Sequence, residues 1–88
     1  MYEVIFDNEA IDFLNKMPKD SKKRIFNKII STKENPFHFF ERLEGRKDYK
    51  LRIGDYRAIA DINRANNIIE ITLIGHRKNV YKKLSKIS

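Results

Sequence analysis

Residues 2–6 alternate Tyr2, Val4 and Phe6 against Glu3 and Ile5, a period of two in β-branched and aromatic residues that predicts a strand. The period then changes. Asp7 offers an N-cap, and Ala10, Phe13, Leu14 and Met17 follow at i, i+3, i+4 and i+7, the spacing of one helical face, which Pro18 ends. Asp20 or Ser21 can cap a second helix reaching Lys33, with Ile25, Phe26, Ile29 and Ile30 inward and Lys22, Lys23 and Lys28 outward. Asn35 and Pro36 stop it. The short connection makes the two helices an antiparallel hairpin that must lie across something apolar. Phe37, Phe39, Phe40 and Leu43 form an irregular apolar segment, and residues 49–53, 56–63 and 68–74 then read as three strands separated by turn residues. Connections this short give an antiparallel meander. Ile69, Ile71 and Leu73 are expected to complete its core face, and Gly75 to end its last strand. Residues 78–87 read as a short basic helix or a loose tail. The expected fold is α+β, a single domain over 1–88: an N-terminal strand, an antiparallel helix hairpin, a three-stranded antiparallel meander packed on the helices, and a short basic C-terminal segment.

A chain of 88 residues has room for one core, so a functional site should be a surface groove, which suits a large substrate. The absence of cysteine removes disulfides, thiolate nucleophiles and cysteine metal sites together. His38 and His76 sit at no recognised ligand spacing, so neither a metal nor a cofactor is expected. No apolar run approaches the roughly 18 residues of a membrane span, and residues 1–6 lack the features of a secretory signal. No membrane partner and a cytoplasmic location are the expectations.

Charge changes the picture most. Lys and Arg number 19 against 12 Asp and Glu, a net charge of +7, and a polyanion is the first-choice partner. The charge is unevenly placed. Residues 1–12 hold Glu3, Asp7, Glu9 and Asp12 with no base, and residues 76–88 hold Arg77, Lys78, Lys82, Lys83 and Lys86 with no acid. A Lys- and Ile-rich chain also fits a hot or AT-rich organism, which would make part of the surplus background.

In residues 48–59 Tyr49, Leu51 and Ile53 should point toward the helices, leaving Lys50 and Arg52 on the other face. Gly54 and Asp55 make a two-residue hairpin turn with glycine first, as a type II′ turn requires. Counting back from it, Ile53 opposes Tyr56 and Arg52 opposes Arg57. Lys50, Arg52 and Arg57 then share one face, although like charges opposed on a sheet weaken its pairing. A bound anion reverses that sign, because the arginine fork matches phosphate oxygens. The alternative is a solvated basic face with Asp61 or Glu70 as partners. Beyond Gly75, Arg77 and Tyr81 lie four apart, so a helical turn would put both at the edge of this face. A phenol among cations can stack on a base or donate a proton, or simply pack on the sheet edge. His76 is an acid, base or loop residue on these grounds.

The order of elements, the YKLRIGDYRAI segment and the closing GHRKNVYKK resemble the RelE/ParE superfamily of toxin–antitoxin toxins, in particular its archaeal RelE-like members. The resemblance covers nearly the whole chain and is most distinctive over residues 48–82. It implies a ribosome-dependent messenger-RNA interferase that cuts the message in the ribosomal A site and is held inactive by a RelB-like antitoxin, with a toxin–antitoxin heterotetramer as candidate assembly. Matched to the RelE pattern, the catalytic set is Lys50, Arg52, Arg57, Arg77 and Tyr81, with His76, Lys78, Lys82 and Lys83 as RNA-binding candidates. The stretch between Arg77 and Tyr81 is shorter than in the best-known bacterial pattern, and His76 is the alternative for the role of Tyr81. RNA carries its own nucleophile in the 2′-hydroxyl, so orientation, charge stabilisation and protonation of the leaving oxygen suffice without a metal. Arg57 and Arg77 are assigned to the transition-state charge, Arg52 to holding the phosphate, and Lys50 to the base, a role its cationic neighbours favour. Tyr81 would stack on a base or protonate the leaving group. Two other readings compete: a ParE-like inhibitor of DNA gyrase, which shares the fold but lacks the cationic set, and a basic RNA- or DNA-binding module without catalysis.

Overall fold

A computed structural model describes residues 1–87. The chain runs β1 (Glu3–Phe6), α1 (Asn8–Asn15), α2 (Lys19–Ser31), α3 (Pro36–Phe39), β2 (Glu41–Arg42), β3 (Tyr49–Ile53), β4 (Tyr56–Asn63), β5 (Ile68–His76) and α4 (Val80–Ile87). The expected α+β arrangement is present, and its meander is the middle of a five-stranded sheet ordered β1-β5-β4-β3-β2. β1 lies parallel on β5, pairing Val4 with Ile69 and Phe6 with Ile71, while β2 adds an antiparallel edge through Glu41 and Lys50.

Helix boundaries differ from the pattern reading at both ends. Asp7 occupies the N-cap of α1 but makes no side-chain cap bond, and the helix stops at Asn15, short of Pro18. Pro18 itself is the N-cap of α2, so neither Asp20 nor Ser21 caps it, and α2 ends at Ser31. A proline is well suited to the start of a helix, where its missing N–H is not needed. Of the four residues expected to face inward, Ile25 and Ile29 are fully buried, Ile30 is half-buried, and Phe26 is 43% exposed with its ring stacked 5.6 Å from that of Phe6. The segment read as irregular instead forms the turn of α3 and the two residues of β2, elements too short to show a period.

Both faces of the sheet are covered, unequally. The larger core lies under α1 and α2, where Ala10, Leu14, Ile25 and Ile29 meet Leu51, Ile53, Ala58, Ala60, Ile69 and Ile71. On the opposite face a smaller cluster joins Ile59 and Leu73 to Val80 and Leu84 of α4. Leu73 was expected beside Ile69 and Ile71. A β-bulge moves it: Ile59 pairs with Leu73 but Ala60 with Ile71, leaving Thr72 as the extra residue, with its hydroxyl donating to the Ile59 carbonyl at 3.3 Å. One extra residue inverts the alternation beyond it. Gly75 does not end the strand either. It sits within β5 opposite Arg57, and a Cβ there would lie 3.2 Å from that of Val80, so the missing side chain lets α4 lie close on the sheet. The final basic segment is thus a docked helix. Among the described residues no helix is long and apolar enough to cross a membrane.

Candidate functional site

The site is organised by the turn between β3 and β4. Ile53 pairs with Tyr56 and Arg52 with Arg57, the register that a two-residue connection dictates. Gly54 has φ +59° and Asp55 is not left-handed, so a single positive φ at the first turn position fits type II′ and excludes type I′. This turn then ties down two arginines. Nη1 of Arg57 donates to the carbonyls of Gly54 at 2.9 Å and Tyr56 at 2.8 Å. The backbone N–H of Arg77 donates to the Asp55 carbonyl at 2.8 Å, and Arg77 Nε stands 3.7 Å from Asp55 Oδ1. The bulge at Thr72 matters here too, because it brings the end of β5 and α4 to the face on which Arg57 lies.

Lys50, Arg52, Arg57, Arg77, Lys78 and Tyr81 together line one open cavity of about 560 Å³. Its floor is Arg57, only 8% exposed, and among the described residues no carboxylate pairs with it. Neither Asp61 nor Glu70 reaches the cluster. The strand alternation puts both on this face, but the Ile59–Leu73 pair separates them from Arg57; the acids near the cations are Asp55 at the rim and Glu41, which faces Lys50 across the β2–β3 ladder and, among the described residues, forms no ion pair with it. A guanidinium held by two carbonyls, shielded from water and lacking a carboxylate partner is chemically suited to meet an anion, because the cost of desolvating the charge has already been met by the fold. Arg52 is exposed directly across the ladder, Lys50 is half-buried, and Tyr81 is 39% exposed at the cavity edge. Arg77 precedes α4 in a turn and does not share a helix face with Tyr81, yet both reach the cavity.

The other RNA-binding candidates separate from this group. His76 pairs with Tyr56 on the opposite face, its ring 5.7 Å from the Tyr56 ring and its Nδ1 accepting from the Lys78 N–H at 3.2 Å, so it braces the turn after β5 and does not line the cavity. Lys82 is exposed outside the cavity. Lys83 borders a different hollow with Glu9, Asp12 and Lys16 of the α1 region. Sequence reasoning missed Arg24 of α2, whose Nη2 would lie 3.3 Å from a Cβ on Gly54, so the turn has a cation against each of its sides. That contact is long-range and leaves no local signal. Among the described residues no three His, Asp or Glu side chains are grouped to hold a metal ion.

Residues 4–81 match the family model described as the ParE toxin of type II toxin–antitoxin system, parDE. The chain belongs to this family, within the RelE/ParE superfamily. It is a toxin of a type II toxin–antitoxin system. No curated protein matches it. Among solved structures, the RelBE2 toxin–antitoxin complex of Mycobacterium tuberculosis aligns at 23% identity and TM-score 0.77, over 86% of this chain and 98% of that one. The archaeal RelE–RelB complex of Pyrococcus horikoshii OT3 aligns at 26% identity and TM-score 0.74, over 86% and 94%. The isolated E. coli RelE toxin aligns at 20% identity and TM-score 0.73, over 99% and 98%. The RelE/ParE toxin fold of the chain is therefore shared across bacterial and archaeal toxins.

Proposed function

We propose that this toxin is a ribosome-dependent endoribonuclease that cleaves messenger RNA in the ribosomal A site, acts in the cytoplasm, and is neutralised by a RelB-like antitoxin. The observation that carries this reading is the buried, carboxylate-free Arg57 guanidinium at the floor of a cavity walled by Lys50, Arg52, Arg77 and Tyr81. In the proposed reaction the 2′-hydroxyl attacks the adjacent phosphorus in line. The O2′–P bond forms as the P–O5′ bond breaks, leaving a 2′,3′-cyclic phosphate and a 5′-hydroxyl. Arg57 and Arg77 meet the negative charge that grows on the phosphoryl oxygens, where donors fixed beforehand do the most good. Arg52 holds the ground-state phosphate, Lys50 takes the 2′-hydroxyl proton, and Tyr81 stacks on a base or delivers a proton to O5′. Among the described residues no carboxylate or histidine pair lines the cavity for strong acid–base catalysis. Such a site is weak on free RNA and gains rate when a large partner fixes the message in a bent, in-line geometry.

The test is primer extension on a message engaged by ribosomes. Wild type should give A-site stops that Arg57→Ala and Arg77→Ala abolish or reduce by about two orders of magnitude or more, the usual cost of a lost transition-state donor. Wild-type rates in both variants would remove the assignment. The gyrase reading has one observation in its favour, the parDE description of the matching family. A supercoiling assay decides it: inhibition of gyrase without any RNA cleavage would replace the reading above. RNA or DNA binding with neither activity would leave a basic binding module.

A further inference from the structure

The cavity leaves most of the positive charge of the molecule unexplained. α2 carries Lys19, Lys22, Lys23, Arg24 and Lys28 against the single acid Asp20, and among the described residues none of the five forms an ion pair. Lys22 donates to Asn15 Oδ1 at 2.9 Å and Lys28 stands 5.0 Å over the Phe39 ring, while Lys19, Lys23 and Arg24 are exposed. Helical spacing sets Lys19 beside Lys22 and Lys23, and Arg24 beside Lys28, about 5–6 Å between Cβ atoms, close to the step between successive phosphates of a nucleic-acid strand. The helix is about 20 Å long, enough to track several phosphates. Arg24 links this surface to the cavity, because its guanidinium rests on Gly54, whose carbonyl also anchors Arg57 on the other side of the turn.

We infer that the exposed face of α2 is a second RNA-binding surface, which grips the sugar–phosphate backbone of structured RNA surrounding the message while the cavity holds the scissile phosphate. This rests on the ribosome-dependent reading above and adds the surface by which the ribosome is engaged. RNA is favoured over an acidic protein helix because α2 sets five cations against a single acid, and its one substantially exposed large apolar side chain, Phe26, already stacks its ring on Phe6. Lysines on such a face are what phosphate contacts use, and they supply position without sequence preference.

The experiment compares wild type with a Lys19→Gln, Lys22→Gln, Lys23→Gln triple variant, after thermal unfolding confirms that both fold. Affinity for message-loaded ribosomes is measured across a salt series, together with the ribosome dependence of cleavage. The triple variant should bind roughly tenfold or more weakly, with a slope of log affinity against log salt shallower by about two, and should recover most of its cleavage rate at saturating ribosome. Equal affinity and equal slope in a wild type and variant that both cleave would overturn this inference and leave the active-site reading intact. Loss of antitoxin binding with ribosome affinity unchanged would overturn it in favour of a protein partner. A wild type that neither binds ribosomes nor cleaves their message fails the underlying reading, and the α2 surface falls with it.

Discussion

Leu84→Ala separates the two sides of the molecule. Leu84 is 6% exposed and, with Val80, supplies the buried apolar side chains by which α4 sits on Ile59 and Leu73. Truncating a buried leucine costs about 2–5 kcal/mol, the lost transfer energy plus the cavity left behind. Eight residues cannot hold a helix unaided, so α4 stays helical only while docked. A loss of about 2–4 kcal/mol at this anchor shifts the docking equilibrium by roughly 30- to 1,000-fold toward the detached form. The larger core, on the far side of the sheet, does not contain Leu84. Native-state hydrogen exchange reads this directly. In the variant, amides of residues 82–86 should lose most of their protection while those of β4 and β5 keep enough to mark a folded sheet. Leu84 does not line the cavity, yet ribosome-dependent cleavage should fall, because Tyr81 is carried by the segment that detaches, while Arg77 keeps its backbone bond to Asp55. Unchanged α4 protection would show that the apolar anchors do not hold the helix. Equal, simultaneous loss across α4 and the sheet would show that α4 is not separable from the main fold.

Three further outcomes follow from the same geometry. Gly54→Ala places a Cβ at φ +59° and 3.3 Å from the Arg24 guanidinium, and should cost about 1–2 kcal/mol in chemical denaturation while loosening Arg57; a neutral result would mean that the turn relaxes freely. Asp55→Ala removes an exposed partner of Arg77, so denaturant midpoints should barely move while cleavage drops through a lower kcat, and unchanged kcat would show that the backbone bond to Asp55 suffices. Glu70 is held above its ordinary value of 4.5, first by a hydrogen bond with Asp7 and by the charge of Asp7, then by burial and by Asp61. A raised folded value means that the protonated form favours folding: its contribution is fully present below about pH 4.5 and is lost as pH rises through the folded value. Glu70→Gln should therefore be more stable than wild type at pH 7 and converge with it toward pH 4; a gain that persists equally at low pH would refute the coupling.

The turn and its register were readable because they depend on neighbours in sequence. Gly54 fixes the turn type, the turn fixes Arg52 against Arg57, and alternation fixes the face. The strand period could not reveal the bulge at Thr72, because the one extra residue is visible only in the partner strand, and Leu73 was accordingly assigned to the wrong face. Nor could helical spacing show that Phe26 would find Phe6 at the surface in place of the core. The convergence of Arg77 with Arg57 depends on that unseen bulge. Helical spacing does put Arg77 at the edge of the cationic face, but for a reason the structure does not share, since Arg77 precedes α4 and is held by the turn at Asp55.

The fold separates what stabilises the protein from what acts. Opposing Arg52 and Arg57 across a ladder, and burying the latter without a carboxylate, weakens the sheet by about 0.2–1 kcal/mol for the like-charge pair and more for the desolvated guanidinium. Two features offset this. The main core lies entirely on the opposite face, so the cationic face is free of any packing role beyond Ile59 and Leu73. The turn carbonyl and the neighbouring backbone then take up Arg57 Nη1, which converts a repelling pair into a fixed donor array. An anion entering the cavity would meet donors that need little reorganisation, and its charge would offset the repulsion between Arg52 and Arg57. Phosphate or a short RNA should therefore raise the unfolding temperature of wild type by mass action, and Arg57→Ala, which removes both the repulsion and the fixed donor, should lose most of that shift.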